Sequence, residues 1–326
     1  LLKIFETNFP VQSNKTIIMS HFHLDLTYGI ATTEQYKAFK FPGGEIHFKL
    51  SEETTKELTN LPAPQDIFIT TRPTSAESFL LLIIALETLC KDFRNDVLVY
   101  LPYMPYQQAD RDFSVGECFS LKTITKILNM MPPQVSYVIF DPHSDVAPAL
   151  LDNGVIETNE DFIKDVLTNI DNMSQTSTKE YKLSEQLVVL SPDAGAYKKI
   201  YKLCDAIGFN GQIESANKYR DTETGDLEVR LSLDDFEGKD VLIIDDICMG
   251  GRTFIELAKL LHRRNVRNVY LAISHGVFSN GFEELSGLFT GIFTTNSYRS
   301  TDDFQDLPGY EMLHHNICEL NVFEVI

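Results

Sequence analysis

Val241-Leu-Ile-Ile-Asp-Asp-Ile-Cys-Met-Gly-Gly-Arg-Thr-Phe254 is the stretch that decides the fold. Val241 to Ile244 is an apolar run of the length and composition of a buried parallel strand. Asp245 and Asp246 follow at its carboxyl end. Gly250 and Gly251 allow a tight loop whose backbone N–H groups can approach a ligand. Thr253 is placed to cap a helix, and Glu256 three residues on completes a capping-box pattern. Phe254, Leu257, Ala258 and Leu261 give that helix one apolar face. Strand, acidic pair, glycine loop and helix start together suit a phosphorylated polyol. The loop amides and helix start bind phosphate, and the carboxylates accept hydrogen bonds from vicinal hydroxyls or hold a metal. Strand-Gly-Gly-helix alone is ordinary architecture. The adjacent like charges of Asp245 and Asp246 are not, because they cost energy unless something uses them.

The same alternation spreads outward from this stretch. Towards the amino end, Ile17–Met19 and His47–Leu50 read as strands, with a Pro-Gly-Gly turn inside Phe39–Ile46. Ile67–Thr70 is a strand, followed by a helix from a Thr74/Glu77 capping box to about Phe93. Val97–Tyr103 is a strand, and a helix starts near Cys118. Tyr137–Phe140 is a strand that ends at Asp141-Pro-His143. Leu151–Glu185 is more polar, and a domain boundary is expected near its start. A second alternation then runs through Leu187–Leu190, a helix carrying Tyr197 to Cys204, and a hairpin of Ile213–Arg220 with Leu227–Leu231. After the central stretch come strands at Val269–Ser274 and Ile292–Thr295, and a last weakly alternating segment in Asn316–Ile326. The expectation is α/β: two related tandem domains, each a mostly parallel sheet flanked by helices, over residues 1–152 and 153–305, with a tail of 306–326.

Bulk properties narrow the function. The net charge is −19, from 28 basic and 47 acidic residues, which argues against a nucleic-acid binder needing a basic face. The longest apolar run, Phe79–Leu86, is too short to span a bilayer, so no membrane partner is expected. Leu1–Thr16 lacks the apolar core of a secretory signal. Five cysteines without paired spacing read as reduced thiols of a cytoplasmic protein.

Four polar clusters fall at predicted strand ends: Asp110-Arg111, Asp141 with His143, Asp193, and Asp245-Asp246. A lone His after a strand is commonly a structural hydrogen-bonder, and Asp193 in its Pro-Asp-Ala-Gly turn is commonly a helix cap. Four such clusters in one chain point further. His with carboxylates and few cysteines suits Mg²⁺ and phosphates better than a structural zinc. Lys218-Tyr-Arg220 adds two cations on one side of a strand.

In this order the motifs resemble the ribose-phosphate pyrophosphokinases, over about Phe41 to Asn296. Phe41-Pro-Gly-Gly-Glu45 is similar to that family's loop reaching a neighbouring subunit's adenine. Pro105-Tyr106 with Asp110-Arg111 resembles its ATP segment, and Asp141-Pro-His143 its metal and ATP histidine motif. Ser191-Pro-Asp193-Ala-Gly195 resembles its metal-binding aspartate loop, and Lys218-Tyr-Arg220 its catalytic Lys-x-Arg. Asp245 to Thr253 resembles its ribose 5-phosphate loop, and His275-Gly-Val-Phe-Ser279 with Thr295-Asn296 its closing strands. The resemblance implies two phosphoribosyltransferase-like domains. It implies Lys218, Arg220 and His143 in catalysis, and Phe41, Glu45, Asp110, Arg111 and His143 on ATP. Asp245, Asp246, Gly250, Gly251, Arg252 and Thr253 would bind the ribose phosphate, with His143 and Asp193 on Mg²⁺. It also implies a homo-oligomer with the ATP site shared between subunits.

The chain departs from the family pattern at Gly43, at Gln108-Ala109 where Arg-Gln is usual, and at Met249 where a third Asp is usual. Gly250-Gly-Arg-Thr253 also replaces the usual phosphate loop. The implied reaction moves diphosphate from ATP to the C1 hydroxyl of ribose 5-phosphate. Two alternatives remain: the same chemistry on ADP-ribose, as in diverged phage members that rebuild NAD, with Arg252 on the extra phosphate; and a non-catalytic relative that regulates a synthetase. A chain encoded by a phage would work in the host cytoplasm. A simple phosphoribosyltransferase would need only one such domain.

Overall fold

The computed structural model describes residues 22–61, 66–175, 182–220, 227–305, 307–311 and 317–322. The strand expected at Ile17–Met19 and the turn of the expected hairpin lie outside the described residues. The chain forms two compact units, one running to Glu157 and taking in Val322, the other Thr158–Asn321.

In the first unit the chain runs through β1 (Phe22–Asp25), β2 (Tyr36–Lys40), β3 (Ile46–Leu50), α1 (Glu52–Thr59), β4 (Ile67–Thr70), α2 (Ala76–Asp92), β5 (Val97–Leu101), α3 (Ser120–Asn129), β6 (Val135–Phe140), α4 (Val146–Leu150) and β7 (Gly154–Glu157). The main sheet is ordered β1-β4-β5-β6-β7 and is parallel throughout. Because the order never reverses, right-handed crossovers deliver every helix to one face. That face carries the large core with Ile67, Ile69, Val99, Leu101, Tyr137 and Ile139. The alternate residues Phe68, Tyr100, Val138 and Phe140 form a separate cluster, against which Val322 packs. The β2–β3 pair is an antiparallel hairpin closed by the Pro-Gly-Gly turn.

The cap of α2 is a correction. Ser75, one residue beyond the expected Thr74, accepts from Ser78 N–H at 3.1 Å and completes a capping box with Ser78. Glu77 pairs instead with Lys40 of the hairpin.

The second unit runs through α5 (Glu160–Gln175), α6 (Leu183–Gln186), β8 (Leu187–Ser191), α7 (Ala194–Ala206), β9 (Gln212–Arg220), β10 (Leu227–Leu231), β11 (Asp240–Cys248), α8 (Arg252–His262), β12 (Val269–Gly276), α9 (Glu283–Ser286), β13 (Gly291–Thr295) and β14 (Ile317–Leu320). Its sheet is ordered β10-β9-β8-β11-β12-β13-β14. All neighbours are parallel except the β9–β10 hairpin. The molecule is therefore an α/β protein with two parallel-sheet and helix regions. The strands β8, β11 and β12 are buried almost throughout, and each holds an unbroken apolar run, Leu187–Leu190, Val241–Ile244 and Val269–Ile273.

The polar segment after Leu151 is more structured than its composition implies. It holds β7, which pairs with β6 and so extends the first sheet past the expected boundary at residue 152. It also holds α5, whose Phe162, Ile163, Val166 and Ile170 are buried against the second sheet.

The amino end of β11 is fastened by an ion pair between a buried Asp240 and a partly exposed Arg267. Asp240 is fully buried, accepts from Arg267 Nε and Nη2 at 2.8 Å each, and takes a third bond from Asn268 Nδ2 at 3.0 Å. Bidentate charge-assisted bonds of this kind are the stronger class. Asp240→Ala should cost about 2–3 kcal/mol in urea unfolding. Substrate KM values should stay unchanged, because Asp240 lies about 20 Å along the strand from Asp246.

Candidate functional site

In the first unit, candidate residues gather where β5 and β6 end. Two loops leave these strands, and each contains a non-glycine residue in the left-handed region: Tyr106 at φ 61° and Asp141 at φ 38°. Such backbone is strained and persists only where surrounding contacts hold it. Two side chains tie the loops together. Gln107 Oε1 accepts from His143 N–H at 3.0 Å, and Asp110 Oδ2 accepts from Ser144 Oγ–H at 2.8 Å. Arg111 forks onto Asp110, Nε to Oδ1 at 2.7 Å and Nη2 to Oδ2 at 3.1 Å. The Arg111 hydrogen bond holds the Asp110 carboxyl below the usual range, with Ser144 and the charges of Arg111 and His143 adding to it against the opposing effect of burial. Asp110 is thus a buried anchor, while Arg111 and His143 reach the surface.

Phe41 and Glu45 stand on the separate β2–β3 hairpin. Phe41 N–H donates to Glu45 O at 2.9 Å and Gly44 N–H to Phe41 O at 2.8 Å, closing a tight turn. Phe41 remains 45% exposed, its ring set edge-on to Phe39 at 5.1 Å. The turn thus offers an aromatic side chain on a fixed backbone.

In the second unit the chain leaves β8 to form β9 on one side and returns to form β11 on the other. That reversal is a topological switch point, where the strand ends part and leave a crevice. Asp193 stands beyond β8 and Asp245 and Asp246 stand in β11, so the crevice is lined with acids. Asp193 caps α7, its Oδ1 accepting from Ala196 N–H at 3.0 Å. The structural role that its turn sequence allowed is therefore real. The acidic pair does not follow its strand as expected, because β11 continues to Cys248 and pairs with β12 on both sides of Asp246. Pairing with β8 stops at Ile243, which frees that edge beside the acids.

Asp245 Oδ1 accepts from Asp246 N–H at 2.9 Å. Asp245 keeps part of its surface open, but the protein packed round the rest raises its carboxyl well above the usual range. The charges of Asp246 and Asp193 push in the same direction.

The glycine loop is built differently from the expectation. Thr253 is not the cap: α8 begins at Arg252, and its N-cap is Gly251 in the left-handed conformation at φ 78°, with no side-chain cap. Glu256 does not close a capping box but pairs with Arg252 at 3.2 Å. The Arg252 side chain is 89% exposed. It lies along the helix surface, and its placement gives no support for contact with a phosphate in the loop. With no side chain capping it, the first turn of α8 leaves its N–H groups for an anion.

The segment after β12 holds this loop from behind. Val277 and Phe278 N–H donate to Cys248 O at 3.0 and 3.1 Å, and Ser279 N–H to Met249 O at 2.8 Å. Asn280 Nδ2 donates to Gly250 O at 3.1 Å. A Cβ on Gly250 would lie 2.6 Å from that amide nitrogen, so a larger residue there would displace the Asn280 side chain from the loop. Sequence reasoning marked His275 to Ser279 only as closing strand and missed Asn280. His275 itself is fully buried and bonded through Nδ1 to Ser297 Oγ at 2.8 Å, a structural arrangement.

Lys218 and Arg220 lie on β9 opposite Val229 and Leu227 of β10. Pairing of β9 with β8 ends at Ser215, so both stand on a two-stranded ribbon beyond the sheet. Their side chains lie outside the described residues.

Among the described residues no three His, Cys, Asp or Glu side chains gather into a metal cage. Mg²⁺ carried on substrate phosphates needs no cage, since it keeps several waters and takes only one or two carboxylates from the protein. Single donors such as Asp193 and His143 fit that use.

Known proteins match this architecture. The phosphoribosyl transferase domain family matches residues 156–289. The chain is 30% identical to the ribose-phosphate pyrophosphokinase of Sulfurisphaera tokodaii, over 79% of this chain and 82% of that protein. It is 27% identical to that of Pyrococcus furiosus, over 79% and 84%. The crystal structure of phosphoribosylpyrophosphate synthetase from Mycobacterium smegmatis shares the fold, with a TM-score of 0.70 at 20% identity over 90% of this chain and 88% of that one. Two parallel-sheet regions, the acid-lined switch point and this similarity along most of the chain lead to one conclusion: the chain belongs to the ribose-phosphate pyrophosphokinase family.

Proposed function

We propose that the protein transfers the diphosphate of ATP to the C1 hydroxyl of ribose 5-phosphate, giving phosphoribosyl pyrophosphate and AMP. The observation that carries this reading is the acidic pair beside an amide-lined loop, both at the switch point of the second sheet. Asp245 and Asp246 accept hydrogen bonds from the ribose hydroxyls, and the Gly250–Thr253 loop with the start of α8 holds the 5-phosphate. Arg111, anchored by Asp110, and His143 serve the triphosphate. The C1 oxygen attacks the β-phosphorus and gives its proton to solvent, the bond from that phosphorus to the α–β bridging oxygen breaks, and AMP departs with the bridging oxygen. Lys218 and Arg220 neutralise charge on the transferred group. Mg²⁺ on the triphosphate would offset its negative charge, and His143 in the first unit and Asp193 in the second are each single donors of the kind such an ion takes. The protein supplies position and electrostatics rather than a covalent intermediate. Exposed Phe41, on its closed turn, would stack on the adenine held by a neighbouring copy of the chain, which makes the active form a homo-oligomer.

ADP-ribose is the second acceptor to weigh, and Met249 favours it. Met249 is 44% exposed beside the phosphate loop, where an acid would have repelled a second phosphate. Arg252 pairs with Glu256 at the exposed start of α8, an ion pair of the weak surface class. The test is AMP release from ATP and Mg²⁺ with each acceptor separately. AMP with ribose 5-phosphate is the expected result. AMP only with ADP-ribose would replace the acceptor, and AMP with neither would leave a regulatory relative.

A further inference from the structure

We infer that Gln107 is a positioning residue of the nucleotide half-site, acting by holding the backbone of His143. This rests on reading the cluster from Asp110 to His143 as the ATP side.

Gln107 is 1% exposed. Its Oε1 accepts from His143 N–H at 3.0 Å. Only the amide oxygen can accept from a backbone N–H, so the orientation of the amide is settled by this bond. The other end, Nε2, is buried and has no hydrogen-bond partner among the described residues.

Packing does not account for this side chain. A methionine would fill similar space without stranding a buried donor, and an unpaired buried donor costs its full desolvation. The side-chain bond that Gln107 makes among the described residues is to the residue that follows the Asp141-Pro142 corner, where Asp141 has φ 38°. Gln107 itself follows Tyr106, at φ 61°. The bond therefore joins two strained loops at the point where His143 is presented. The Ser144–Asp110 bond at 2.8 Å is a second tie between the same loops, but it fixes Ser144 and leaves the His143 amide to Gln107. Losing the first tie lets the 141–143 corner relax and moves His143, while Asp110 and Arg111 stay paired.

The test uses the full chain and Gln107→Met. Amide hydrogen exchange of the peptide containing His143 should quicken about tenfold, since its N–H loses an acceptor. The KM for ATP should rise about five- to tenfold with little change in the KM of the acceptor or in kcat. Tm should hold or rise, because the stranded donor is gone. In a His143→Ala background the same substitution should leave the KM for ATP where it is, because Gln107 acts through His143. Unchanged exchange would overturn the inference. So would faster exchange with an unaltered KM for ATP, or a fall in Tm with additive effects in the double variant. If the wild-type chain releases no AMP with either acceptor, the transferase reading fails instead. Calorimetric Kd values for α,β-methylene-ATP with Mg²⁺ then decide the role of Gln107 in the same variants, by the same five- to tenfold criterion and the same cycle.

Discussion

Lys218→Ala and Arg220→Ala each lower kcat by about 10²–10⁴-fold while moving the KM of either substrate far less. The magnitude is that of removing one preorganised charge from a transferring phosphoryl group. Charge on the diphosphate grows only as the β-phosphorus changes partners, so cations aimed there act on the transition state more than on the bound substrates. Their position supports this division. Both residues stand where β9 has left β8 and pairs with β10 alone. A two-stranded ribbon without a third strand is marginally stable, which fits the proposed role of the two cations over the transferred group. Steady-state kinetics of the two variants measure the effect. Full turnover in both would remove the catalytic role.

Asp245→Asn gives the second large effect, and its two consequences have opposite signs. Turnover falls about 10²-fold or more, because the amide replaces an acceptor for the ribose hydroxyls with a group that is half donor. Stability rises. Burial, then the charges of Asp246 and Asp193, raise the Asp245 carboxyl in the folded state. Between the unfolded value of about 3.9 and the raised folded value, the folded chain holds a proton that the unfolded chain has lost. Wild-type stability attributable to this group is therefore present below about pH 4 and is lost as pH rises through the folded value. Asn has no such slope. The variant should melt higher than wild type near pH 7, by about 2–4 °C for each kcal/mol regained, and the gap should close as the pH falls towards 4. Thermal melts across that range without ligand are the measurement. A gap independent of pH would show that repulsion and burial at Asp245 are not its cause. Stability given up for a charged site is a common exchange in active sites.

Most of the fold was legible because parallel strands buried on both faces leave unbroken apolar runs. Leu187–Leu190, Val241–Ile244 and Val269–Ser274 were found for that reason, and the helix faces carrying Phe254, Leu257, Ala258 and Leu261 by their spacing. Where polar residues outnumbered apolar ones the signal failed. The buried stripe of α5, from Phe162 to Ile170, is regular but narrow, and it lies within a segment, Leu151–Glu185, that reads as polar. Caps were misplaced by one or two residues for a local reason. Thr74 and Thr253 satisfy a sequence pattern, but the backbone angle decides which residue caps, and that angle went to Ser75 and Gly251.

The sequence by itself determined the fold class, the order of the motifs and the chemical types gathered at strand ends, since these follow from local patterning and from how parallel sheets bury their strands. Only the tertiary structure decided which of those residues act together. Strand order placed the reversal between β8 and β11 and so brought Asp193 near Asp245. The ion pair with Glu256 turned Arg252 along the surface of α8. Gln107 bonds a backbone amide thirty-six positions away. Each of these depends on residues distant in the chain, and a one-dimensional pattern carries no distance between them.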